Sequence, residues 1–95
     1  MRVVWTRSAL LNLNEIQDYI AEESPAAAYR LANDLHRRTT LLLADAPMAG
    51  RVGRARGTRE LVFADLPYIV AYRVTDKVEI LAVVHTAREW PETFD

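Results

Sequence analysis

Tyr68-Ile69-Val70-Ala71-Tyr72-Arg73-Val74-Thr75-Asp76-Lys77-Val78-Glu79-Ile80-Leu81-Ala82-Val83-Val84-His85 reads as two β-branched and aromatic runs joined by a short polar turn, the pattern of a β-hairpin. With Asp76-Lys77 as a two-residue turn, Val74 opposes Glu79, Tyr72 opposes Leu81, Val70 opposes Val83 and Tyr68 opposes His85. Upstream, Thr58–Phe63 is a third strand-like run. If Ala64–Pro67 form the loop after it, Phe63 opposes Tyr68, Leu61 opposes Val70 and Arg59 opposes Tyr72. Opposed residues of antiparallel strands project to the same side. One face then holds Arg59, Leu61, Phe63, Tyr68, Val70, Tyr72, Leu81, Val83 and His85, and its bulk marks it as the core side. The other face holds Thr58, Glu60, Val62, Ile69, Ala71, Arg73, Ile80, Ala82 and Val84. It is smaller but far from polar, and an open sheet face of that kind predicts a binding surface.

Towards the start of the chain, Met1–Trp5 is a short apolar opening strand. Ser8 is placed to cap a helix whose apolar positions Ala9, Leu13, Ile16 and Ile20 recur at helical spacing. A second helix opens at Ser24-Pro25, a cap followed by proline in the first turn. It carries the stripe Ala28, Leu31, Ala32, Leu35, Thr39, Leu42 and Leu43 until Asp45-Ala46-Pro47 stops it. The expected order is β-α-α-β-β-β: one α+β domain over residues 1–95, with a helical hairpin packed on one face of a small, mainly antiparallel sheet.

Composition narrows the chemistry. The chain has 95 residues, 51% hydrophobic and 26% charged, enough for one domain and too short for a two-domain enzyme. With no cysteine and two isolated histidines, His36 and His85, neither disulfide, zinc-thiolate nor histidine-cluster chemistry is expected, and no metal or cofactor is assigned. The apolar runs are far shorter than a membrane span, and the first residues have no signal-peptide core, so a cytoplasmic setting without membrane contact is expected. Net charge is −1, yet residues 46–60 hold four arginines against one glutamate. Arg51, Arg54, Arg56 and Arg59 alternate with Gly53 and Gly57, which favours close approach to a phosphate or an acidic partner; the alternative is a solvated loop. The Gly-Lys-Ser/Thr ending of a P-loop is missing, so no ATPase is implied.

The ordered set of segments is specific. Val3-Val4-Trp5-Thr6 precedes the first helix, Gly57-Thr58-Arg59-Glu60-Leu61 closes the arginine-rich segment, and Tyr68–Val74 forms the strand. The last part is Ile80-Leu81-Ala82-Val83-Val84-His85-Thr86-Ala87-Arg88-Glu89-Trp90. Over nearly its whole length the chain resembles toxins of the ParE/RelE superfamily from bacterial type II toxin-antitoxin systems, of the plasmid stabilisation type. The resemblance implies the β-α-α-β-β-β fold and neutralisation by an antitoxin whose C-terminal segment wraps the toxin and folds on binding. It also implies higher-order assembly through that antitoxin. RelE-like members cleave messenger RNA on the ribosome without a metal, whereas ParE-like members poison DNA gyrase.

Metal-free RNA cleavage needs a base near the 2′-hydroxyl, an acid at the leaving oxygen and cations around the phosphate. The candidates are His85, Arg59, Arg73 and Arg88, but the charged face of the ribonuclease members is poorly matched: Tyr68-Ile69 stand where some carry arginine. The ParE-like reading is therefore preferred, with a ParD-like antitoxin and DNA gyrase as expected partners and no catalytic residue assigned. Ribosome and messenger RNA are the alternative partners. Arg51, Arg54, Arg56 and Arg59 are the expected target or phosphate contacts, and Ile69, Ala71, Arg73, Ile80 and Ala82 the expected antitoxin contacts. His85 reads either as a general acid or base or as a half-buried strand-end histidine. Trp90 either locks the tail onto the body or anchors an interface.

Overall fold

Two helices lie on one side of a five-stranded mixed sheet in a computed structural model that describes residues 1–88, 90, 91 and 94. The elements are β1 (Val3–Trp5), α1 (Arg7–Ala21), α2 (Pro25–Asp45), β2 (Arg51–Val52), β3 (Arg59–Val62), β4 (Tyr68–Val74) and β5 (Val78–His85). Sheet order is β1-β5-β4-β3-β2. β1 runs parallel to β5; the helical hairpin carries the chain from β1 at one edge of the sheet to β2 at the other, and the remaining pairs are antiparallel.

Both helices form where apolar spacing and caps agree. In α2 the Ser24 side chain accepts from the Ala27 N–H and Pro25 occupies the first turn, as expected. In α1 the cap is Thr6 rather than Ser8. Its hydroxyl accepts from the Ala9 N–H at 3.2 Å and donates to the Ile80 carbonyl at 2.7 Å, so one side chain both starts the helix and ties it to β5. Ala9, Leu13 and Ile16 of α1 and Leu35 and Leu43 of α2 bury against Leu61, Val70, Tyr72 and Val83 of the sheet. Leu42, expected in the buried stripe, is exposed.

The β3–β4 register is as expected, with Arg59 opposite Tyr72 and Leu61 opposite Val70. In the β4–β5 hairpin Tyr68 opposes His85 and Val70 opposes Val83, but the ladder then shifts at Ala71/Tyr72, so that Tyr72 opposes Ile80 and Val74 opposes Val78. The extra residue in β5 is a bulge, and it puts the residues from Val78 to Leu81 on the faces opposite to those expected. Ile80, expected on the open face among the antitoxin contacts, is fully buried beneath the helices, and Leu81, expected in that core, lies on the opposite face beside Phe94. The turn is correspondingly longer, closed by the Thr75 N–H donating to the Lys77 carbonyl. Beyond Ile80, where β1 has ended, the Val83 N–H donates to Asn12 Oδ1 of α1.

Nor is the far face of the sheet open. Trp90 and Phe94 pack on Ala71, Ala82 and Val84, which are buried, and Ile69 is buried as well. Trp90 thus locks the tail onto the body, the first of its two readings. The two-residue β2, absent from the expected order, pairs Arg51 with Glu60 and Val52 with Arg59 along the sheet edge.

Candidate functional site

The β2–β3 hairpin carries the arginine-rich loop, and one buried carboxylate organises it. Gly53 N–H donates to the Thr58 carbonyl, Thr58 N–H to the Ala55 carbonyl, and Gly57 turns the chain with φ 77°, a conformation that disfavours side chains. Glu60 projects beneath this loop and is only 2% exposed. Its Oε1 accepts from Arg51 at 2.9 Å, and its Oε2 accepts from the Arg54 backbone N–H at 2.9 Å and from Arg54 Nε at 3.1 Å. Burial pushes this carboxyl upward, but the Arg54 N–H and the Arg54 and Arg51 guanidiniums outweigh it and hold it below the ordinary glutamate range. Arg54 in turn lies over the Trp90 ring at 3.7 Å from its centroid, joining loop and tail through a cation–π contact.

The four loop arginines therefore do not form one cationic cluster. Arg51 and Arg54 converge on Glu60, Arg56 is exposed, and Arg59 reaches the other way, its Nε 3.3 Å from Met48 Sδ. Arg54 and Arg56 instead share a concavity with Arg73 of β4, whose guanidinium is paired with Glu79 at 3.0 Å.

Of the residues a ribonuclease would need, Arg59 and Arg73 lie apart from His85, while Arg88 stays beside it, its backbone N–H donating to the His85 carbonyl at 3.0 Å. His85 sits at the end of β5 opposite Tyr68, whereas Arg73 sits opposite Glu79. Five residues of strand separate the two sites, roughly 17 Å at the rise of a β-strand. His85 Nδ1 accepts from the Ala87 N–H at 3.0 Å, and its ring meets Tyr68 edge-on. Burial pushes the Tyr68 phenol upward, against the opposing charge of Arg88, so it stays protonated near neutrality. Arg88 is exposed beyond the strand, and Arg59 lies on β3. His36, on α2, is exposed and stacks on Trp5. Among the described residues no group of three or more His, Cys, Asp or Glu side chains comes together, and no helix is long and apolar enough to cross a membrane.

A second surface escaped the reading of the sequence. Between α2 and β3 runs a groove of about 490 Å³ lined by Leu41, Leu42, Val62 and Phe63, with Arg38 and Asp65 at its rim. Leu41 is 62% exposed and Val62 47%. Arg38 grips Asp65 through two bonds of 2.9 and 3.0 Å and lies 4.9 Å from the Phe63 ring centroid. Because β2 pairs only with Arg59 and Glu60, it leaves the outer edge of β3 beyond them unpaired, beside this groove. The available signal was the pair Leu41-Leu42, two adjacent leucines that one helix stripe cannot bury together.

Comparison with known proteins gives this geometry a family. Residues 3–90 match the family described as ParE toxin of type II toxin-antitoxin system, parDE. The chain belongs to the ParE toxin family. It is 45% identical over 91 residues to the Sinorhizobium fredii protein Y4kP, named as a toxin, covering 96% of this chain and 94% of that one. It is 43% identical over 88 residues to toxin RelE2 of Caulobacter vibrioides, covering 92% and 97%. A chain from the chromosomal ParDE TA system of P. aeruginosa superimposes with a TM-score of 0.79 at 27% identity, over 90% of this chain and 95% of that one. In this ParE-family toxin, then, the helical hairpin and the mixed sheet are the fold shared with that ParDE chain.

Proposed function

We propose that this ParE-family toxin acts as a binding protein that inhibits DNA gyrase in the cytoplasm, and that a ParD-like antitoxin holds it inactive and assembles it into larger complexes. The observation that carries the reading is the separation of Arg59 and Arg73 from His85: among the described residues Arg88 stays beside the His85–Tyr68 pair, but the other two arginines do not join it to surround a phosphate there. The antitoxin finds its seat in the α2–β3 groove. An extended segment there can pair with the free edge of β3 and bury apolar side chains on Leu41, Leu42 and Val62. The ParDE neighbour supports a partner of this kind. Of the earlier antitoxin contacts, Ile69, Ala71, Ile80 and Ala82 are buried within the toxin itself, and Arg73 alone remains accessible.

The deciding experiment follows DNA and protein synthesis in the first minutes after the toxin is induced without antitoxin. An early fall in DNA synthesis with translation intact is the expected result; translation failing first would reject gyrase as the target. The second reading, a ribosome-dependent endoribonuclease, draws on the likeness to toxin RelE2. His85→Ala separates the two. It leaves growth arrest intact if the toxin is a binding protein, and lowers messenger RNA cleavage at least ~10²-fold if His85 is a general acid or base.

A further inference from the structure

On the face of the sheet away from the helices, Arg54, Arg56, Thr58, Arg73, Leu81 and Phe94 line a concavity of about 410 Å³. That is the size of a small-ligand cleft, and its lining combines guanidinium groups with an apolar and aromatic wall. The three arginines come from separate places, two from the β2–β3 loop and one from β4, and the fold brings them together across the sheet edge. Two are already oriented by carboxylates. Arg54 is fixed by Glu60, and Arg73 by Glu79 through its Nε and one terminal nitrogen. A guanidinium has five N–H donors in a rigid fork, so each of these pairs leaves donors for a further anion while holding the group in place. Arg56 contributes a full charge, with no carboxylate in ion-pair contact among the described residues.

We propose that this concavity is a binding site for the phosphodiester of a nucleic-acid strand, with Arg56 and the free donors of Arg54 and Arg73 on the phosphate and Phe94 as the stacking surface for a neighbouring base. Preset arginine forks suit a tetrahedral oxyanion, and an aromatic ring beside a cationic groove is the arrangement by which proteins hold single strands without reading sequence. The site goes beyond the gyrase reading and does not rest on it. The strand has two possible sources, DNA held open at the target or messenger RNA, and both present the same phosphodiester.

The test measures fluorescence anisotropy of a labelled single-stranded DNA oligonucleotide and of its RNA counterpart, titrated with the full-length toxin at several salt concentrations. The expected result is saturable binding that Arg56→Ala weakens at least ~5-fold while lowering the salt slope by about one. Arg30→Ala, which removes a charge from exposed α2 far from the concavity, leaves binding unchanged. Tighter binding of DNA assigns the strand to the DNA source and tighter binding of RNA to the messenger, and either supports the site. The inference is overturned by absence of binding to both oligonucleotides up to ~100 µM toxin, the weak end of the usual range for non-specific contacts. It is equally overturned if binding is indifferent to Arg56→Ala, or if Arg30→Ala weakens it as much. Gyrase supercoiling assayed with the same wild-type protein keeps the two ideas apart, because inhibition without oligonucleotide binding removes this site and leaves the gyrase reading standing.

Discussion

Glu60 shows how much a single buried carboxylate can organise. Its carboxylate is held below the ordinary glutamate value in the folded chain, so its contribution to stability is complete above the unfolded value and disappears as pH falls through the folded one. Urea denaturation of the wild type between about pH 5 and pH 3 is therefore expected to show a steeper loss of stability than that of Glu60→Gln, whose amide does not titrate. Equal slopes would mean that the arginine contacts contribute nothing to the pH dependence. Tyr72 is a second such residue. It is fully buried, donates to the Pro47 carbonyl at 2.8 Å and accepts from the Gly50 N–H at 2.8 Å, fastening the segment after α2 to the sheet. Gly50 is required there because a Cβ would lie 2.7 Å from the Tyr72 ring and hydroxyl. Tyr72→Phe leaves both backbone groups without that partner and is expected to cost about 1–3 kcal/mol in urea unfolding, with the fold retained by circular dichroism.

At the level of elements, the hydroxyl of Thr6 serves α1 and β5 at once, so Thr6→Ala is expected to cost about 1–2 kcal/mol and Thr6→Ser much less, read as a shift in the unfolding midpoint. A Ser8→Ala change of equal size would contradict the cap assignment. Thr6 and Ser8 are indistinguishable as caps in the sequence; the Ile80 carbonyl, contributed by a distant strand, decides between them. The Ser24-Pro25 start of α2 was legible because its signal is entirely local. The pairing of Tyr68 with His85 was reached from a two-residue turn and holds because the longer turn and the bulge displace the register by one residue in opposite senses. The bulge was not legible: in Ile80-Leu81-Ala82-Val83-Val84 every residue is apolar, and an uninterrupted apolar run cannot register one extra residue. β2 was hidden for another reason, because two residues have no periodicity and Arg51-Val52 is held by the buried Glu60. The lone glutamate among four arginines was the one trace of that hub in the sequence. The expected site residues scattered because charge density along a chain does not specify which way each side chain departs from a hairpin.

For the molecule as a whole, the helix side of the sheet is the core, as expected, but the exposed apolar surface does not lie on the far face. On the far face Trp90 and Phe94 cover Ala71, Ala82 and Val84, while the exposed apolar surface lies in the α2–β3 groove. Leu41→Glu is accordingly expected to weaken antitoxin binding by roughly tenfold or more, by isothermal titration calorimetry, with little change in toxin stability. Ala82→Glu, by contrast, places a charge under the tail and is expected to destabilise the toxin itself. If Ala82→Glu weakened binding in a fully stable toxin, and Leu41→Glu did not, the antitoxin would belong on the far face. The parallel pairing of β1 with β5 has a consequence for synthesis. Val3 lies against Val78, so the strand made first has no neighbour until the strand made last has emerged from the ribosome. Until then the helical hairpin lacks Val78, Ile80 and Val83, part of the apolar surface that buries it, so the core closes only once β5 has been made.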